Sequence, residues 1–199
     1  PVAKTTLYEP GMNLPCLVRS ARQAGRGTTC DGLVTWADLT PTILDYAGVE
    51  YDPERFHGRS FLPILDQESP ADWREEVYAA HTFHEITNYY PMRVLRTRTH
   101  KFIWNIAHWL PYSFASDLWA CSTWQATLRD QARTFGTRTV DAYLHRPRFE
   151  LYDLVSDPHE TKNLADRPEY APLVADFSAR LRAFQARTND PWIHKWDYE

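Results

Sequence analysis

Two imidazoles and a carboxylate stand close together in His81-Thr82-Phe83-His84-Glu85. Such a cluster could hold a metal, but the H-E-x-x-H order that places both rings on one helix face is not met, and no third ligand is evident. Val77 to Ala80, just before it, reads as a strand. The chemistry left to His84 and Glu85 is hydrogen bonding from a loop that follows a strand. An imidazole can meet a hydroxyl, and a carboxylate can take hydroxyl or amine protons, as a sugar would present them. A hydrogen-bonded pair that serves only the loop is the alternative. Arg93, Arg96 and Arg98 put cations along one strand. They are expected to form a half-exposed, solvated face with acidic partners, Arg93 reaching the rim of a site. Cys16, Cys30 and Cys121 are odd in number and lack C-x-x-C spacing. This argues against a zinc knot, a redox pair or a complete disulfide framework. Cys16 is expected as a core thiol in a buried strand, with a Cys16–Cys30 bridge open but unsupported.

The 199 residues make one large domain or two small ones, and 43% hydrophobic content is enough for a sizeable core. With 22 basic against 26 acidic residues the net charge is −4, so there is no global field to collect nucleic acid. An anionic ligand would have to be held by local basic groups. The apolar runs are too short to span a bilayer. The chain opens at Pro1 with no basic and apolar leader pattern. Either the start was processed or the chain is the C-terminal piece of something longer. Periplasmic, secreted, lysosomal-type and cytoplasmic locations all stay open.

Leu14 to Val18 reads as a buried strand, and Ala21 to Gly27 as an exposed loop. In Asp38 to Gly48, Thr40 suits an N-cap, Pro41 the first helical turn and Gly48 the stop, with Leu39, Ile43, Leu44 and Ala47 on one buried face. A short capped helix is expected over 60–65. After a boundary near 70–76 come strands over 77–80, 92–99 and 101–104 with a hairpin turn at Thr99-His100, helical patches over 123–135 and 137–144, and a strand over 148–153. A helix from about Glu169 to Thr188 carries an apolar stripe of Tyr170, Leu173, Val174, Phe177, Leu181 and Phe184, which core packing explains.

Two segments go beyond generic fold signals: Asp38-Leu39-Thr40-Pro41-Thr42-Ile43-Leu44-Asp45-Tyr46-Ala47-Gly48, and Glu150-Leu151-Tyr152-Asp153-Leu154-Val155-Ser156-Asp157-Pro158-His159-Glu160-Thr161-Lys162-Asn163-Leu164. Together and in this order they resemble the C-terminal part of a sulfatase of the alkaline-phosphatase-like superfamily, over nearly the whole chain. His84-Glu85-Ile86-Thr87, Tyr90-Pro91-Met92-Arg93 and Asp190-Pro191-Trp192 resemble the N-sulfoglucosamine sulfohydrolases, or heparan sulfamidases, within it. The opening Pro1 to Gly11 resembles the segment that directly follows the family's metal-binding D-[HN]-G motif.

The resemblance implies an α/β fragment: residues 1–73 as the tail of the large catalytic domain, and 74–199 as a smaller α+β domain with an antiparallel sheet and a long helix. It implies a hydrolase of sulfate esters or sulfamates, with a formylglycine nucleophile made in a C/S-x-P-x-R motif and a Ca²⁺ held by carboxylates. Neither that motif nor the paired aspartates occur here, so nucleophile and metal are expected upstream of Pro1, and the chain alone should be silent, with no metal of its own. Lys4 takes the position of the basic residue on the sulfuryl group, following the broader sulfatase pattern where sulfamidases carry Arg. A compact ammonium suits a tetrahedral anion as a point charge. Implied partners are a sulfated sugar, bound with the help of His84, Glu85 and Arg93, and the preceding part of the catalytic domain. Rival readings are an O-sulfatase, a phosphonate or phosphodiester hydrolase of the same superfamily, and a stand-alone carbohydrate-binding module.

Overall fold

The computed structural model describes residues 4–24, 27–86 and 88–198. Pro1 to Ala3, Gly25-Arg26 of the expected loop, and Thr87 lie outside them. The elements in chain order are α1 (Glu9–Met12), α2 (Leu39–Ala47), β1 (Glu76–Phe83), β2 (Tyr89–Thr97), β3 (His100–Asn105), α3 (Ser116–Ala120), α4 (Ser122–Arg129), β4 (Thr134–Phe135), β5 (Arg138–Thr139), α5 (Val140–Leu144), β6 (Phe149–Asp153), α6 (Ala171–Arg187) and α7 (Lys195–Tyr198), with 3-10 turns between some of them. They fall into two compact units, Pro15–Val77 and Pro1–Leu14 with Tyr78–Glu199.

The Pro15–Val77 unit is organised by Asp38, which is fully buried. Its carboxylate accepts from the backbone N–H of Thr35 (2.7 Å) and of Arg59 (2.8 Å), and pairs with both Arg74 terminal nitrogens at 3.0 and 2.7 Å. Thr42 Oγ1 donates to Asp38 O and accepts from Phe61 N. The first signature segment is therefore a hub that ties α2 to the chain on both sides of it. Gly58 is required there, because a Cβ would collide with the Ala37 carbonyl. A small core of Phe61, Ile64 and Trp73 lies beside it.

Helix α2 stops at Gly48, which adopts φ 69°, as its position predicts. Its start differs. Thr35 caps the preceding turn reciprocally with Asp38, and Thr40 lies inside the helix. The expected apolar stripe is also corrected, since Pro41 and Thr42 are buried while Ile43 is 66% exposed. Leu14 to Val18 forms no strand, and Cys16 is exposed rather than in the core. An apolar run makes a strand only where a neighbour completes its ladder, and no described residue does so here. All three cysteines are free. Residues 60–65 hold only a 3-10 turn, Leu62–Ile64.

The larger unit is built on a four-stranded sheet of order β1-β2-β3-β6. Strands β2 and β3 pair antiparallel with Val94 opposite Ile103, and β3 and β6 pair antiparallel with Phe102 opposite Leu151. Side chains alternate between faces. Leu95, Phe102, Trp104 and Leu151 meet Phe177 and Leu181 of α6, so the predicted helix and its stripe are present. Met92, Val94, Ile103 and Tyr152 meet Leu7, Tyr8, Tyr112, Trp124, Phe135 and Tyr143 on the other side. Because both faces are covered, β2 is buried from Tyr90 to Leu95 instead of half-exposed. The expected acidic partners are there, Asp190 for Arg93 and Glu9 for Arg96, but the pairs are withdrawn from solvent instead of lying on a solvated face. The expected helical patch over 123–135 shortens to α4, and the one over 137–144 to α5, with the small hairpin of β4 and β5 between them.

Under the second face lies a charged and aromatic core. The Arg146 guanidinium sits 3.6 Å from the Tyr112 ring centre, and that of Arg138 3.7 Å from Tyr8. Burial is the main reason that the Tyr8, Tyr90, Tyr143 and Tyr152 hydroxyls are pushed well above the ordinary tyrosine range. Raised folded values leave stability intact below the unfolded value near 10 and remove it above. Stability is therefore expected to fall from about pH 10 upward by about 1.4 kcal/mol per pH unit for each of these tyrosines. Denaturant titrations at rising pH, followed together with tyrosinate absorbance, check this. Ionisation of these tyrosines before unfolding would contradict it.

Candidate functional site

The residues expected to carry chemistry lie in the larger unit, on its N-terminal segment and on the turn after β1. That turn is closed by His84 N to Asn88 O (3.2 Å) and Asn88 N to Glu85 O (3.0 Å). It is stapled to the segment before α3. In the orientation that satisfies both partners, the buried Asn88 amide donates to Ser113 O at 2.5 Å and accepts from Ala115 N at 2.9 Å. The Glu85 carboxylate takes the Ser116 N–H and hydroxyl, each at 3.2 Å. The next residue, Asp117, holds the Lys4 ammonium at 2.6 Å. That bond is the chief reason the Asp117 carboxyl lies below the usual carboxylate range.

Adjacent residues at the start of α3 thus bond Glu85 and Lys4, bringing a carboxylate and an ammonium far apart in sequence into one neighbourhood. The Lys4 ammonium is exposed, as is His84, and Glu85 is half-buried. Phe83, Ile86 and Tyr89 beside the turn, and Trp119 on α3, add exposed apolar surface. Asp117 is the participant that sequence reasoning missed. An acidic residue in a first helical turn signals only a helix start, and nothing in its spacing points to Lys4.

Arg93 is not part of this group. It grips Asp190 through two bonds of 2.6 and 2.9 Å, donates to the Met92 and His81 carbonyls, and is nearly buried. Asp190 in turn accepts from Trp192 N and caps the turn Pro191–His194. Two of the stretches that resemble sulfamidases, at Arg93 and at Asp190-Pro191-Trp192, are therefore two ends of one contact. His81 is engaged through Nδ1 with Tyr90 O at 3.2 Å, and burial holds its pKa below the ordinary histidine value. Among the described residues no three carboxylate, imidazole or thiol groups come together to hold a metal ion. No described helix is long and apolar enough to cross a membrane.

The second signature segment explains itself in this geometry. Glu150 is buried and accepts from Tyr8, Tyr152 and Asn105. Asn163 bonds Leu151 N and Phe149 O, fastening the following loop to the edge strand β6. Glu160 meets Lys101 at 2.9 Å.

Residues 2–119 match a family model described as N-sulphoglucosamine sulphohydrolase, C-terminal. The chain is 35% identical to human N-sulphoglucosamine sulphohydrolase over 97% of its own length and 40% of that protein. It is 26% identical to an N-acetylglucosamine-6-O-sulfatase of Bacteroides thetaiotaomicron over 94% of its length and 28% of that protein. The chain thus spans well under half of these relatives. A solved structure in complex with its substrate D-glucosamine-2-N,6-O-disulfate superposes with a TM-score of 0.50 at 25% identity, covering 77% of this chain and 24% of that one. A 2-O GAG sulfatase superposes at 0.50 with 23% identity over 78% and 25% of the two chains, which bears on the fold alone. The four-stranded antiparallel sheet with its long helix is that of the C-terminal region of the alkaline-phosphatase-like sulfatases, and the chain belongs to the N-sulphoglucosamine sulphohydrolase C-terminal family.

Proposed function

We propose that the chain is the substrate-side portion of an enzyme that hydrolyses the sulfamate or sulfate ester of N-sulfoglucosamine or a related sulfated sugar. The observation that carries this reading is the joining of Lys4 and Glu85 through Ser116 and Asp117. Lys4 is assigned to the sulfuryl oxygens, exchanging its Asp117 contact for the anion. His84 and Glu85 are assigned to hydroxyl or amine groups of the sugar, with the exposed apolar side chains around them against its ring. Arg93 acts from behind, holding the end of β1 from which the turn projects. Formylglycine and calcium, which the family implies, belong in this reading to the preceding part of the enzyme. Residues 1–73 are the tail of the catalytic domain, and 74–199 its C-terminal subdomain. The exposure of Leu17 (95%), Trp36 (79%) and Ile43 (66%) in the smaller unit supports this, as surface the remainder of the domain would cover.

Discrimination must come from the sugar side, because amide-linked and ester-linked sulfate differ little at sulfur. A site built to bond sugar hydroxyls rejects ligands that lack them. In the complete enzyme, His84→Ala and Glu85→Gln are expected to lower kcat/KM for N-sulfoglucosamine about tenfold or more, roughly one hydrogen bond to a charged group, while leaving a small aryl sulfate nearly untouched. Equal losses on both substrates would reduce the pair to a support of the fold.

A further inference from the structure

We propose that Glu160, Glu150 and Lys101 form a positioning clamp on residues 7–9, and that its purpose is to fix the approach of Lys4. This rests on the assignment of Lys4 to the sulfuryl group. Each of the three residues is held separately. Leu7 O accepts from Lys101 Nζ at 3.1 Å. Tyr8 OH donates to Glu150 at 2.8 Å. Glu9 N donates to Glu160 at 2.6 Å, and the Glu9 carboxylate takes Arg96 at 3.0 and 3.1 Å and Lys101 at 2.8 Å. The Lys101–Glu160 pair, 2.9 Å apart, closes the set.

Lys101, Glu150 and Glu160 are essentially inaccessible to solvent. Stability alone is a poor account of such an arrangement, since apolar side chains of similar volume often serve as well, and fixing one geometry is a use of buried ion pairs known from some proteins. The backbone agrees. Thr5, immediately after Lys4, adopts φ 62°, and Glu160 adopts φ 54°. Non-glycine residues persist there only where their surroundings over-determine them. Thr5 is held by the Tyr112 hydroxyl, which donates to Thr5 O at 2.8 Å and meets Thr5 Oγ1 at 2.9 Å. The polypeptide that leads to Lys4 is therefore held at Thr5 and from Leu7 to Glu9, and the ammonium is met by Asp117 at the far end. The second signature segment supplies two of the clamping carboxylates, which gives its glutamates a task beyond closing a turn.

The test is a double-mutant cycle in the complete enzyme between Glu160→Gln and Lys4→Ala, read as kcat/KM on a sulfated sugar. Glu160→Gln keeps shape and removes charge. It is expected to lower kcat/KM about tenfold in the Lys4 background, the scale of one charge-assisted bond, and to have little further effect once Lys4 is Ala. Hydrogen exchange should accelerate at the amides of residues 7–12 and stay unchanged in α6. If Glu160→Gln does not fold, Tyr8→Phe removes one tether only and is expected to show the same non-additivity at smaller size. Equal factors in both backgrounds, or unchanged exchange at residues 7–12, would overturn the clamp while Lys4→Ala remains impaired. Wild-type kinetics in Lys4→Ala alone would instead overturn the assignment of Lys4, and the purpose given to the clamp with it.

Discussion

Replacing Glu150 with alanine is expected to cost the larger unit about 3–5 kcal/mol, the range for removing one partner from a buried charged cluster. Its carboxylate is 2% exposed as a residue and accepts from Tyr8 OH (2.8 Å), Tyr152 OH and Asn105 Nδ2 (2.7 Å). It is also a negative charge acting on Arg138 and Arg146, both buried, each with one terminal nitrogen that finds no partner among the described residues. Alanine would leave those cations without their carboxylate and the Tyr8 and Tyr152 hydroxyls without an acceptor, while Asn105 Nδ2 keeps Pro147 O; each buried unsatisfied group costs about 1–3 kcal/mol. Domain stability is only about 5–15 kcal/mol in total, so the variant should be largely unfolded at moderate temperature. Glu150→Gln, which keeps an acceptor and loses the charge, should fall between. Urea titrations of the three proteins check the order. An alanine variant within about 1 kcal/mol of the wild type would show that the cluster is not what holds the sheet to the N-terminal segment.

Acid acts on the same region through Glu9. Burial would raise its pKa, but the bonds from Arg96 and Lys101 outweigh that and bring it to about 2. A depressed folded value means that its contribution is present above the ordinary carboxylate range and is lost only as pH falls toward 2. Glu160 moves the other way. Burial is the largest effect on it and raises its pKa, against the opposing pull of Lys101.

The elements whose signals are local were legible in the sequence. The α6 stripe and the Gly48 stop depend on periodicity and backbone preference alone, and they stand in the structure; the hairpin expected to turn at Thr99-His100 turns one residue earlier, at Arg98-Thr99, with His100 already in β3. What failed depended on partners distant in sequence. The run Leu14 to Val18 has strand composition but no neighbour to pair with. Strand β2 has the alternation of a half-exposed strand, yet its outward-reading Arg93 and Arg96 are neutralised by residues 97 and 87 positions away. The candidate site divides in the same way. His84 and Glu85 were found as a polar turn after a strand. That Glu85 and Lys4 meet at the start of α3 could not be read from spacing, because Ser116 and Asp117 look like any helix N-terminus. Likewise, the diagnostic glutamates Glu150 and Glu160 announce a turn and a strand in sequence, and only the fold shows them gripping Tyr8 and Glu9.

The assignment of Lys4 to the sulfuryl group is the claim on which the functional reading turns. An ammonium that meets developing negative charge on sulfuryl oxygens contributes most where that charge is largest, so its loss should appear in kcat/KM and not in binding alone. In the wild type the ammonium is held by an exposed carboxylate, Asp117, a weak and readily exchanged partner. The direct measurement is kcat/KM of Lys4→Ala in the complete enzyme, on a sulfated glucosamine and on an aryl sulfate, with Lys4→Arg beside it. The account predicts a loss of about 10- to 100-fold on both substrates, the equivalent of about 1.5–3 kcal/mol for a charge-assisted contact, largely restored by arginine. Wild-type kcat/KM in Lys4→Ala on both substrates would contradict it.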